Sequence, residues 1–161
     1  MDMNLPNLYK TIENRVLDGH FFLIDYALFF DAGRLGKYTR FAIDDSSEIE
    51  QLKEILRTIR LKDPNIMIYV CAYGNELEDS HGEKFLYADS IWINGSLSKK
   101  MIVDGFRNNL NIEPSSIELL CEMEERNQSP VLYLPFDGAV IDLSMSSNLK
   151  YLENVITLYW D

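Results

Sequence analysis

The chain has 161 residues, 47% hydrophobic and 25% charged, a composition that fits one ordinary globular domain and excludes a disordered or disulfide-stapled chain. Its formal net charge of -11 repels phosphate backbones, which disfavours direct nucleic-acid binding and favours a basic partner. The acid is concentrated: residues 63–98 hold six acidic side chains against one basic, and residues 111–161 nine against two.

Cys71 and Cys121 each sit in an alternating apolar run, so both read as small buried hydrophobes of a reducing compartment. Residues 1–9 lack the basic and apolar regions of a signal peptide. The longest apolar run, Phe21 to Phe30, is broken by Asp25 and is too short to span a bilayer. The expected location is the cytoplasm.

In chain order, Leu8, Ile12 and Val16 predict a short first helix ended by Asp18-Gly19. His20 to Asp31 and Lys37 to Ile43 read as two strands of a hairpin, joined through Gly33 and Gly36. Asp44 to Glu50 is a strong helix start: Ser47 with Glu50, or Asp45 with Glu48, fits a capping box. Ile49, Leu52, Ile55, Leu56 and Ile59 follow as one apolar stripe, and Asp63-Pro64 stops the helix.

Residues 65–94 form the central hairpin of the reading, with strands Ile66 to Tyr73 and Phe85 to Ile93 around an acidic loop. Ser96 or Ser98 caps a helix whose inner face is Met101, Ile102, Gly105 and Phe106, with Lys99, Lys100 and Arg107 as a positive island. Residues 117–125 alternate as a strand, although the preceding Pro-Ser-Ser also suits a helix start. Phe136-Asp137-Gly138 between apolar runs predicts a hairpin from Val131 to Leu143, and residues 148–160 fit a helix or a strand equally. The sum is a single α+β domain over residues 1–161. It is a mostly antiparallel sheet of six or seven strands in hairpins, with three or four helices packed mainly on one face.

Chemistry is harder to find. Only His20 and His81 offer an imidazole, and no serine sits in a G-x-S-x-G turn. Asp79, His81 and Glu83 alternate in one loop, but their spacing suits neither hard-metal nor structural zinc sites. Gly33 to Gly36 lacks the Lys-Ser/Thr ending of a phosphate loop. No catalytic residue, metal or cofactor is therefore assigned. Two acidic clusters remain as candidate partner-binding surfaces: Glu76, Glu78, Asp79 and Glu83, and Glu118, Glu122, Glu124 and Glu125. Tyr73, Tyr87, Trp92, Tyr133 and Trp160 are candidate anchors, since aromatic residues supply much of the affinity that charge alone does not.

In the character of the whole chain, small, acidic, α+β and without a catalytic set, the sequence resembles the immunity proteins of bacterial polymorphic-toxin and contact-dependent growth-inhibition systems. That resemblance implies a cytoplasmic monomer or weak homodimer that binds one cognate toxin domain, often a basic nuclease, and covers its active site or substrate channel. Two alternatives stand beside it. One is a small enzyme using carboxylates at strand ends, such as Asp25, Asp31, Asp89 and Asp142, and the other a self-associating regulatory or scaffold module with an unpaired edge at Val131 to Leu143.

Overall fold

The structure, a computed structural model, describes residues 21–31, 39–73, 80–82, 85–119, 131–134, 141–142 and 154–161. They form one sheet with three helices. In chain order these are β1 (Phe21–Asp25), α1 (Tyr26–Phe29), β2 (Thr39–Phe41), α2 (Ser46–Arg60), β3 (Met67–Tyr73), β4 (Leu86–Asn94), α3 (Lys99–Gly105), a 3-10 turn (Leu110–Ile112), β5 (Ser116–Leu119), β6 (Val131–Leu134), β7 (Ile141–Asp142) and β8 (Val155–Tyr159). The strand order is β5-β8-β4-β3-β1-β6-β7, with β2 added to β4. Five of the seven pairings are antiparallel, so the fold is the mostly antiparallel α+β class that the hairpin pattern predicts. The predicted first helix, Leu8 to Val16, lies outside the described residues.

The centre of the sheet is the hairpin read from residues 65–94. β3 and β4 pair from Met67↔Asn94 to Tyr73↔Tyr87, and each has a further partner on its other edge. Ile68, Val70 and Ala72 of β3 face the core, opposite Ile93, Ile91 and Ala88 of β4. Strict alternation would fail here, because Leu86 and Ala88 are even-numbered while Ile91 and Ile93 are odd. A bulge resolves the conflict: Cys71 pairs with Ser90 and Ala72 with Ala88, so Asp89 is passed over and both apolar pairs reach one face.

Helix α2 begins where the acidic run predicts. Asp45 is the N-cap, its Oδ1 accepting from the backbone N of Ser47 at 2.9 Å and of Glu48 at 3.0 Å. The Ser47 hydroxyl and then the Glu48 N–H hold the Asp45 carboxyl below its ordinary value, because both bonds favour the ionised form. Leu52, Ile55, Leu56 and Ile59 are buried on the face toward the sheet, and Glu50–Lys53 and Glu54–Arg57 pair along the outer face. Ser98 caps α3 by accepting from Met101 N at 3.2 Å, and Ile102 and Phe106 are buried one turn apart. Met101 does not join them. It is 38% exposed, because a seven-residue helix can turn only one narrow stripe inward and Ile102 and Phe106 occupy it.

The hairpin expected between His20–Asp31 and Lys37–Ile43 does not form. Asp25 ends β1 by capping α1, its carboxylate accepting from Ala27 N at 2.9 Å, so Tyr26, Leu28 and Phe29 enter the core from a single helical turn. β2 then pairs with β4, in parallel, at Thr39↔Leu86 to Phe41↔Ala88. Elsewhere the ambiguous segments settle as strands over the described residues, β5 at Ser116–Leu119 and β8 at Val155–Tyr159. β6 and β7 pair antiparallel across the Asp-Gly segment. No helix among the described residues is long and apolar enough to cross a membrane.

Leu56 is fully buried at the middle of the α2 stripe, so its truncation leaves a cavity that one helix and the sheet beneath it cannot close. Leu56→Ala is expected to lower stability by about 3 kcal/mol. Denaturant unfolding checks this as a fall in midpoint with an unchanged slope.

Candidate functional site

The residues proposed from sequence fall in very different places. Of the two acidic clusters, Glu118 is on β5, half-buried, with its carbonyl accepting from the Thr157 hydroxyl at 3.2 Å. Glu76, Glu78, Asp79, Glu83, Glu122, Glu124 and Glu125 lie outside the described residues. In the sequence, the first cluster bridges the end of β3 and Phe85, the residue that leads into β4. His81 is exposed.

The carboxylates weighed for acid–base work come from four segments: Asp25 from β1, Asp31 from just after α1, Asp89 from β4 and Asp142 from β7. Asp25 is nearly buried and is used structurally: it caps α1 and its Oδ2 lies 3.3 Å from the Arg60 guanidinium at the end of α2. Arg60 in turn sits over the Tyr26 ring at 5.7 Å, so one cation ties α2 to the β1–α1 corner. Asp89 stands at the β4 bulge, with β3 between its strand and that of Asp25. Asp142 is placed only as backbone in β7. Among the described residues no three His, Cys, Asp or Glu side chains are grouped to hold a metal ion.

The anchor candidates divide too. Trp92 and Trp160 are buried, and Tyr87 is half-buried. Trp160 is a core residue: its indole N–H donates to the Ile112 carbonyl at 2.9 Å, and its ring meets Phe41 at 5.3 Å and Phe106 at 6.2 Å, all near edge-on. Tyr73 is the last residue of β3 and Tyr133 lies in β6.

What the sequence reading misses is a groove beside β2. It has a volume of about 590 Å³ and is walled by α1, β2, the start of α2 and the segment leading into β4. Its floor is aromatic, with Phe30 edge-on to Phe29 at 5.0 Å and to Phe41 at 5.4 Å. Ile43, Ile49, Phe85 and Tyr87 complete the apolar wall, all of them half-buried. Arg40, also lining it, stacks over the Phe85 ring at 5.4 Å and donates from Nη1 to the Thr39 carbonyl at 2.9 Å. Asp44 and Glu50, both exposed, are the acidic residues of the lining. Thr39 is buried beneath, its hydroxyl donating to the Phe29 carbonyl at 3.1 Å, which fixes β2 against α1. In the sequence Phe30 and Phe85 read as ordinary strand residues, so nothing there marks the groove.

Comparison with protein-family models, curated proteins and solved structures returns no match.

Cys71 is the one cysteine among the described residues, and its surroundings suppress its reactivity. Burial pushes its thiol from 9.0 up to about 12, and the nearby Asp89 carboxylate adds to the shift. Between those values the folded protein keeps a proton that the unfolded chain releases. Its contribution to stability is therefore intact below pH 9.0 and is lost as the pH climbs toward about 12. In a Cys121→Ser background, Cys71 is expected to resist a thiol-alkylating reagent near neutral pH and to react at once in guanidinium chloride. Mass spectrometry of the two samples checks it.

Proposed function

We propose that this chain is a non-catalytic, acidic binding protein of the immunity type, acting in the bacterial cytoplasm by one-to-one association with a cognate toxin domain. The observation that carries the reading is the charge: -11 overall, with most of the acid in the two blocks that hold Glu76 to Glu83 and Glu118 to Glu125. A basic nuclease carries the opposite charge by the nature of its substrate, so long-range attraction steers the encounter and orients it. The engagement of Asp25 with Arg60 and the α1 backbone supports the non-catalytic side of the reading, because a carboxylate held in a structural ion pair is poorly placed to exchange protons. A self-associating module is the second reading, and the place of β7 at the end of the sheet path among the described residues supports it, since an edge strand is where a second chain can pair.

The first reading expects a toxin gene beside that of this chain, and the domain it encodes is the binding partner for the test. Reversing Glu76, Glu78 and Asp79, and separately Glu118, Glu122, Glu124 and Glu125, to lysine is expected to slow association by roughly tenfold or more at low salt. The difference should shrink at high salt. Stopped-flow association rates decide it, and rates unchanged in both variants remove the electrostatic argument. Sedimentation of the free chain over a concentration range separates the monomeric inhibitor from the self-associating module.

A further inference from the structure

The groove beside β2 combines features that bear on what would occupy it. Four bulky apolar side chains from four separate segments, Phe30, Ile43, Ile49 and Phe85, converge there and remain half-buried, although the same elements bury Phe29, Phe41 and Leu52 almost completely. An apolar patch of that kind, rimmed by charge, is the usual form of a recognition site. Its volume of about 590 Å³ suits a few side chains of a partner rather than a whole element.

The rim selects the sign of what docks. Asp44 is exposed and enters no ion pair or hydrogen bond among the described residues, and Glu50 is held only by an exposed pair with Lys53. Such a surface pair is weak and gives way to a competing cation. Arg40 is the groove's cation, its guanidinium held over Phe85 and donating to the Thr39 carbonyl, which leaves two carboxylates against one guanidinium among the lining residues. The field of a chain at -11 points the same way.

We infer that this groove is a docking site for a segment of a partner protein that presents one bulky apolar side chain with a lysine or arginine next to it. The apolar side chain rests on Phe30, Ile49 and Phe85, and its basic neighbour meets Asp44 and Glu50. This deepens the binding-protein reading and rests on it, placing the affinity-giving anchor on β2 and α2 while the acidic clusters govern the rate of encounter.

The test needs no toxin. Three capped hexapeptides are titrated into the ¹⁵N-labelled protein: one with a central Lys-Phe-Lys, one with Lys-Ala-Lys and one with Glu-Phe-Glu. The first is expected to shift the backbone amides of Ile43, Ile49 and Phe85. The alanine and glutamate peptides should bind about tenfold more weakly or not at all. Asp44→Lys with Glu50→Lys, both exposed, should weaken the first peptide roughly fivefold while leaving the spectrum of the free protein folded. Equal binding of all three peptides overturns the inference, as do shifts confined to another surface. Preference for the glutamate peptide overturns it by assigning the groove to Arg40. Groove amides that broaden with protein concentration alone overturn it by assigning the groove to a second copy. The two readings fail separately: unchanged toxin association in the cluster variants removes the electrostatic reading without touching the peptide result. Loss of peptide selectivity removes the groove while the charge-steered encounter stands.

Discussion

Strand β4 carries more of this architecture than any other element, and it does so through one displaced residue. Its edge away from β3 is divided between two strands running in opposite directions, β2 in parallel along Leu86–Ala88 and β8 antiparallel along Ser90–Asn94. Asp89 falls at the junction. Its carbonyl accepts from Trp160 N at 2.8 Å while the carbonyl of Ala88 accepts from Ala42 N at 3.0 Å, so each neighbour is tied to the strand at the point where it ends. The bulge that passes over Asp89 on the β3 side also changes the phase of the side chains, which is what lets both halves of a nine-residue strand serve one core.

The same junction shapes the groove. Because β2 runs beside the start of β4, Phe41 reaches Trp160 and the aromatic floor is continuous from Phe30 through Phe41 and Trp160 to Phe106 under α3. The groove thus rests on rigid, edge-on rings backed by the main core rather than on a loop of its own.

Legibility in the sequence followed the range of the interactions concerned. The α2 cap, the α3 cap at Ser98 and the β3–β4 hairpin are set by residues close in sequence, and each could be read from local spacing. Asp25 misled for the opposite reason. Its neighbours form a run suited to a strand, and only its bond to Ala27 N and its pairing with Arg60, thirty-five positions on, turn the chain into α1. Parallel pairing of β2 with β4 leaves no periodic mark, and the burial of Trp160 depends on a carbonyl of Ile112 in a distant turn. The groove was invisible because it belongs to four segments at once.

The position of β8 also bears on the order in which this fold can be completed. β8 lies between β5 and β4, so the upper half of β4 and all of β5 lack a shared neighbour until residues 155–159 are available. During synthesis from the ribosome, β3 and β4 can pair early, yet the Ser90–Asn94 edge of β4 stays open and β5 has no strand to join until β8 is made, which leaves a seam near one end of the sheet. Closure is then a late, long-range event in which one strand pairs with β4 and takes β5 as its other neighbour. Such folding is slow relative to local hairpin formation and leaves a nascent edge exposed in the interval. The buried Ile156 and Leu158 that seal the seam are the residues on which that final step turns.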